Sequence, residues 1–167
     1  MKPVLSASIL ALLLLQPGFA SEPDYVLRDL DGVEHFISDY RGKWVVVNYW
    51  TTRCVQCKRE IPELIRFQAA HKDTDAVVWG VNFEHAERTF LRTFVQRHDI
   101  NYPVLGHRQI PDLLIDEVWI LPTTVLIDPS GNLVARHTGP VTAAHIEEMM
   151  SRYRIARIDD RTTQCFT

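Results

Sequence analysis

Cysteine is scarce in this sequence: its 167 residues include three cysteines, together with 7 glycines and 9 prolines. So few cysteines, in an odd number, exclude a scaffold stapled by many disulfides, and the glycine and proline contents exclude a collagen-like chain. Basic blocks, internal repeats and low-complexity segments are also lacking, and the formal net charge is −3. Nucleic acid is therefore not an expected partner, because phosphate binding needs concentrated positive charge.

The N-terminal segment has the layout of a secretory signal peptide. Lys2 provides a positive start, residues 4–15 are apolar apart from two serines, and Gly18-Phe19-Ala20 places small residues before Ser21. We expect cleavage between Ala20 and Ser21, which predicts a periplasmic or secreted protein. A membrane anchor is the alternative, although the apolar stretch is shorter than the roughly 20 residues needed to span a bilayer.

Residues 21–155 are predicted to form one α/β domain, followed by a polar, aperiodic tail at 156–167. Hydrophobic periodicity and turn residues predict the following elements in chain order: a hairpin around Asp31-Gly32, a buried strand at 44–50, a helix at 55–72 kinked at Pro62, a strand at 76–83, a helix around 90–95, an extended stretch at 102–105, a short helix at 109–115, strands at 123–128 and 133–137, and a last helix with Thr142 as N-cap. Strands that alternate with helices and end in a hairpin predict a mixed central sheet flanked by helices.

The motif Cys54-Val-Gln-Cys57 lies between the buried strand at 44–50 and the helix that follows. Unpaired N–H groups and the dipole at a helix N-terminus stabilise a thiolate, which makes Cys54 a nucleophile and a good leaving group. The spacing places Cys57 one turn along the same helix face, within disulfide reach but deeper. We therefore expect Cys54 to attack a substrate disulfide and Cys57 to resolve the mixed disulfide. Nearby Arg53 adds positive charge to the site.

The cysteine pair has two plainer interpretations, a zinc site and a structural pair. The second half of a zinc site, another Cys-x-x-Cys or a His-x(3–5)-His, is missing from the sequence, so neither a metal nor a cofactor is expected. A structural pair of buried cysteines is the other alternative.

These residues resemble the TlpA/ResA-like thiol–disulfide oxidoreductases of the thioredoxin superfamily. The likeness is carried by Trp50-x-x-x-Cys54-x-x-Cys57-x-x-Glu60-Ile-Pro62, by Arg41-Gly-Lys43 and by Leu121-Pro122-Thr-Thr, and it covers about residues 24–150. The resemblance implies a thioredoxin-like fold and, as in many bacterial members, reduction of periplasmic disulfides, often for cytochrome c maturation. It implies substrate proteins with disulfides or thiols as partners, and an upstream redox partner protein.

The resemblance also implies roles for three residues beside the cysteines. Pro122, after Leu121, matches the family's cis-proline, which packs beside the disulfide; an ordinary trans-proline is the alternative. Glu60 matches an acidic residue that could exchange a proton with Cys57, and its alternative is a solvated helix glutamate. Trp50 matches a tryptophan packed beside the site, which is compatible with plain core packing.

The chain departs from the family pattern inside the motif. The family usually has Trp before the first cysteine and Pro before the second, where this chain has Arg53 and Gln56. We expect both changes to alter the redox potential and the choice of partner, though not the reaction type. Asn48 occupies the strand position where thioredoxins carry a buried aspartate, which favours Glu60 as the acid that handles protons.

Two other functions and one cysteine remain open at this point. A peroxidase of the peroxiredoxin type is suggested by Thr51-x-x-Cys54, although Val47 stands where that site has a proline. A non-enzymatic copper chaperone is the second alternative, because thiolates bind Cu(I). Cys165 is unexplained: we expect a monomer with a free tail thiol, and a Cys165-linked dimer or a third redox group are its alternatives.

Overall fold

A computed structural model describes residues 26–106 and 120–164, with side chains as far as 155. The predicted signal peptide, the predicted short helix at 109–115 and Cys165 lie outside the described residues. The described elements are β1 (Val26–Arg28), β2 (Glu34–Phe36), a 3-10 turn (Ile37–Tyr40), β3 (Trp44–Trp50), α1 (Val55–His71), β4 (Ala76–Asn82), α2 (Arg88–Arg97), β5 (Val104–Gly106), β6 (Thr123–Ile127), β7 (Leu133–Thr138) and α3 (Ala143–Gln164).

Five of the strands form one mixed sheet in the order β5-β4-β3-β6-β7. β3, β4 and β5 run parallel, whereas β6 is antiparallel to β3 and β7 is antiparallel to β6. This arrangement confirms the predicted mixed sheet, and the parallel strands are joined by helical crossovers as their direction requires. The carboxyl ends of β3, β4 and β5 therefore meet at one edge, where α1 begins.

The central strand β3 is buried along its whole length, as its apolar sequence predicts. Successive side chains of a strand point to opposite faces, so Trp44, Val46 and Trp50 join the core beneath the helices. Val45, Val47 and Tyr49 join a second core on the other face. The first core also takes in the buried side of α1, which repeats every three or four residues and consists of Cys57, Glu60, Ile61, Leu64, Phe67 and Gln68.

The predicted N-terminal hairpin is present as the antiparallel pair β1 and β2. The Asp29 carboxylate stabilises its turn by accepting hydrogen bonds from the backbone N–H groups of Asp31 and Val33, at 2.8 and 2.9 Å. The hairpin joins the main sheet where the Leu30 N–H donates to the Val104 carbonyl at 2.9 Å. It therefore packs over the second core, to which Leu27 contributes a fully buried side chain.

The last helix differs from the prediction. Thr142 does cap it, since its side-chain oxygen accepts from the His145 N–H at 3.2 Å. However, the helix continues to Gln164 through residues that were predicted to be an aperiodic tail. The loss of apolar periodicity after Tyr153 was a poor criterion for its end, because no Gly or Pro interrupts the chain there. None of the helices in the described part of the chain is long and apolar enough to span a membrane.

Candidate active site

The two motif cysteines lie at the start of α1, at the edge of the sheet where β3 ends. Cys54 is the N-cap residue of the helix and is partly exposed, whereas Cys57 lies within the first turn and is fully buried. The two sulfurs form a disulfide. The Cys57 backbone N–H donates to the Cys54 sulfur at 3.1 Å. One sulfur therefore faces solvent at the positive end of the helix dipole, and the other faces the protein interior.

Three cationic residues close to Cys54 in the chain are exposed. Arg53 precedes Cys54 and its side chain is 94% exposed, and Lys58 and Arg59 are exposed on the first turns of α1. We call these three residues the basic rim. Between them the apolar side chain of Val55 is also exposed, and Ile120 is exposed just before Leu121 and Pro122. The mouth of the site thus combines cationic and apolar surface.

Glu60 is buried, not solvated: only 2% of its surface is exposed. One carboxylate oxygen accepts a hydrogen bond from the Asn48 side-chain amide at 2.8 Å, and the other accepts from the Val141 backbone N–H at 2.9 Å. Burial raises the pKa of Glu60 to about 7, because it penalises the charged carboxylate more than the two hydrogen bonds stabilise it. Glu60 and Cys57 are three residues apart on one helix, so they share a face.

Asn48 is a polar side chain on the buried strand β3, and its hydrogen bonds explain why it is tolerated there. Its amide group donates to Glu60 and also to the Thr124 hydroxyl, at 2.8 and 3.1 Å. A buried amide with two partners avoids much of the cost of an unpaired polar group. The sequence drew attention to Asn48 only as a departure from thioredoxins, yet the structure places it in direct contact with Glu60.

The Leu121–Pro122 peptide bond is cis, as the resemblance implied. The Pro122 carbonyl accepts a hydrogen bond from the Gly139 N–H at 2.8 Å. Two residues later, Val141 donates to Glu60. The loop 139–141 therefore joins the cis-proline to the buried carboxyl group. Sequence analysis missed this loop, and its one local signal is the Gly139-Pro140 pair after β7.

Trp50 is almost completely buried and stacks on Phe94 of α2, with ring centroids 5.2 Å apart. Gly80 on the neighbouring strand leaves room for it, since a Cβ atom there would lie 3.0 Å from the indole nitrogen and 2.9 Å from the Tyr102 ring. Trp50 is thus a core residue four positions before Cys54. It forms the base under the site, while Gln56 is exposed at its surface.

Glu84 holds the segment that leads into Cys54, and the sequence gave no indication of it. The Glu84 carboxylate accepts from the Thr52 backbone N–H at 3.0 Å and from the Thr52 hydroxyl at 2.9 Å. Its nearer oxygen lies 3.7 Å from Arg53 Nε, and the side chain is 13% exposed. A recess of about 400 Å³ opens beside these residues and is also bordered by His85 and Phe90.

Two histidines that the sequence could not place come together beside the loop 139–141. The rings of His137 and His145 are perpendicular, with centroids 4.4 Å apart. Partial burial lowers the pKa of His137, and the neighbouring His145 acts in the same direction. Across residues 26–106 and 120–155, no three His, Cys, Asp or Glu side chains are grouped as metal ligands.

Comparisons with known proteins agree with this geometry. The sequence model of the AhpC/TSA family matches residues 20–136. The thiol–disulfide oxidoreductase ResA of Geobacillus kaustophilus (strain HTA426) is 37% identical over 128 residues, which cover 77% of this chain and 73% of that protein. ResA of Bacillus subtilis (strain 168) is 33% identical over 131 residues, covering 77% and 72%.

A similar solved structure is the exposed lipoprotein thioredoxin Etrx1 of Streptococcus pneumoniae strain TIGR4. It matches with a TM-score of 0.67 and 26% identity, and the alignment covers 78% of this chain and 99% of that one. The fold assigned from the element order is therefore found in a known thioredoxin.

Proposed function

Since the chain belongs to the AhpC/TSA family and is a thiol–disulfide oxidoreductase, as its ResA relatives are, we propose that it reduces protein disulfides outside the cytoplasm. The observation that carries this proposal is the unequal exposure of the two sulfurs: Cys54 is accessible at the helix N-terminus and Cys57 is buried behind it. Only the accessible sulfur can meet a partner's disulfide, and only its neighbour is close enough to displace it afterwards.

The reaction follows from this order. The Cys54 thiolate attacks one sulfur of the partner's disulfide, that bond breaks, and the other partner sulfur leaves as a thiolate that takes up a proton. The Cys57 sulfur loses its proton and attacks Cys54, which breaks the mixed disulfide and releases the second partner thiolate. Two electrons pass to the partner, and the Cys54–Cys57 disulfide remains until an upstream dithiol protein reduces it.

Glu60 serves the second step as the proton acceptor for Cys57. Its pKa of about 7 leaves it partly deprotonated near neutral pH, which is the condition under which a carboxyl group both accepts and returns a proton efficiently. Its burial, and its position three residues after Cys57 on α1, support a role with the buried sulfur rather than with the exposed one.

Pro122 and the neighbouring Leu121 form the edge on which the partner segment lies. A proline has no backbone N–H, so it leaves this edge free for a bound peptide's own hydrogen bonds. Arg53 and Gln56 set which partners fit, because they replace the residues that the family usually has there.

The extracytoplasmic location rests on two supports. The N-terminal sequence has the layout of a signal peptide with a cleavage site after Ala20. The similar pneumococcal thioredoxin is an exposed lipoprotein, as its name states. An oxidising compartment supplies the protein disulfides on which a reductase acts.

The equilibrium reduction potential of the Cys54–Cys57 pair tests the direction of electron flow. It is measured in glutathione or dithiothreitol buffers, by following the fraction of oxidised protein. A potential below about −250 mV agrees with a reductase, and a potential near about −120 mV, typical of a strong oxidant, would contradict the proposal.

A further inference from the structure

We propose that the partner segment that docks at Cys54 is acidic, with aspartate or glutamate residues flanking its own cysteine. This inference rests on the proposed function, since it names the substrate class of the same site. It follows from the charge and placement of the basic rim, Arg53, Lys58 and Arg59.

The three cations all lie within five residues of the reactive sulfur in the chain. Arg53 is its immediate neighbour in the chain and extends into solvent, with 94% of its side chain exposed. Lys58 and Arg59 lie on the exposed side of the first turns of α1. Helical side chains lean toward the N-terminus of their helix, so these two cover the turn that begins at Cys54. A partner cysteine that reaches Cys54 therefore comes close to positive charge.

Local anions offset only part of the rim. Glu84 forms an ion pair with Arg53, whose Nε atom lies 3.7 Å from a carboxylate oxygen that also accepts a hydrogen bond from the Thr52 hydroxyl. Within the described residues, Lys58 and Arg59 make no ion pair. Glu60 is buried below the surface.

The rim opposes the charge of the whole molecule. The chain carries a formal net charge of −3, so an acidic partner is repelled weakly by the body of the protein and attracted at one place, the mouth of the site. At physiological ionic strength charges act over about 8 Å, which makes the rim the dominant field for a docking segment. Such local complementarity raises the rate of encounter and selects among partners more than it adds affinity.

The mouth also supplies apolar contact for the same segment. Val55 lies within the rim and Ile120 precedes the cis-proline edge, and both are more than half exposed. Beside Arg53, the recess of about 400 Å³ has room for one flanking side chain. The fitting segment is therefore short and extended, with an apolar residue next to the cysteine and carboxylates on either side.

The test uses two peptides with the same sequence and the same internal disulfide, one flanked by glutamates and the other by lysines. The second-order rate constant for reduction of each peptide by the reduced protein is measured at low and at 0.5 M salt. We expect the acidic peptide to react about tenfold faster at low salt, and the ratio to fall toward one at high salt.

The variant Arg53→Glu/Lys58→Glu/Arg59→Glu should invert this ratio, and the neutral variant with glutamine at all three positions should bring it close to one. Acidic residues near a helix N-terminus are stabilising, so the variant with reversed charges should still fold. Lys72→Glu, at the opposite end of α1 and about 25 Å away, is the matched control and should leave the ratio unchanged.

The ratio is used because changes in the reactivity of the Cys54 thiolate affect both peptides equally and cancel. Equal rates for the two peptides, or a ratio that the rim variants do not move, would overturn the acidic-partner proposal. Failure of the proposed function looks different: neither peptide, nor a neutral small disulfide such as hydroxyethyl disulfide, would then be reduced.

Discussion

The two sulfurs of this site lie in opposite surroundings only one helical turn apart. Around Cys54 the protein presents solvent, three cations and a helix N-terminus. Around Cys57 it presents a core that includes Glu60, three residues further along α1, where burial favours the neutral carboxyl group. The difference teaches that the proposed division of labour is one of depth: the surface would stabilise an anion that attacks, and the interior would control a proton that is removed later.

The largest effect on activity is expected when each of the two sulfurs is removed separately. Cys54→Ser should abolish disulfide exchange, because no accessible nucleophile remains. Cys57→Ser should still attack a partner but accumulate the mixed disulfide, because nothing displaces it. The measurement is the yield of covalent adducts with a disulfide substrate on non-reducing gels.

Equal yields of adduct from the two variants would contradict the assignment of an outer and an inner sulfur. The Cys57→Ser variant also separates the peroxidase alternative: rapid consumption of hydrogen peroxide with oxidation of Cys54 would favour a peroxidase over an exchange enzyme.

A smaller effect is expected from neutralising the inner region. Glu60→Gln removes the proposed proton acceptor for Cys57, so the release of mixed disulfides should slow by roughly 100-fold and lose its pH dependence near pH 7. Stopped-flow rates of exchange between pH 5 and 9 measure this. Glu63→Gln is the control on the same helix, because Glu63 contacts Arg66 and the Ala143 N–H instead.

Stability should report the same carboxyl group. Native Glu60 keeps its proton up to about pH 7, whereas in the unfolded chain the group titrates near 4.5, so the native state binds more protons between these values. The free energy of unfolding should therefore fall as the pH rises from 4.5 to 7, by at most about 3 kcal/mol from this group. The free energy of unfolding of Glu60→Gln, measured by denaturant titration, should lack that fall. If the variant and the wild-type protein have the same pH dependence, the carboxyl group of Glu60 does not have a raised pKa.

The smallest effect is expected at the outer loop. Thr52→Val and Glu84→Gln each disrupt the hydrogen bonds that hold the segment before Cys54, at a cost of about 1 kcal/mol in the free energy of unfolding. In the double variant the two costs should add only in part, because both substitutions act on the hydrogen bond between the Thr52 hydroxyl and the side chain at position 84. Strictly additive costs, measured by urea denaturation, would mean that the Thr52–Glu84 contact does not support the loop.

The local features of this site were accessible from the sequence, and the distant ones were not. Cys54, Cys57 and the start of α1 follow from a buried strand, a motif and a helical pattern within some thirty residues. Burial of Glu60 depends on Asn48, 12 residues away, and on Val141, 81 residues away. No periodicity encodes such pairs, because a hydrogen bond across the fold leaves no regular spacing in the chain.

The end of α3 is a second feature that the sequence did not predict correctly. Amphipathic spacing located the start and the packed part of α3, since Ile146, Met149 and Met150 face the core. It could not locate its end, because spacing reports contact with a core and the final turns were expected to have none. The contact between Glu84 and Thr52 was not predicted either, because it joins the segments that follow β3 and β4 and leaves no regular spacing in the chain.

Gly139 and Val141 connect one short stretch of backbone to both Pro122 and Glu60. Gly139, at a φ of +107° that side chains rarely adopt, is tied to the cis-proline edge, and Val141 is tied to the buried carboxyl. If the proposed roles of Pro122 and Glu60 hold, a substitution in this loop that shifts the docking edge should also shift the acidity of the buried carboxyl group, so partner selectivity and pH dependence would change together.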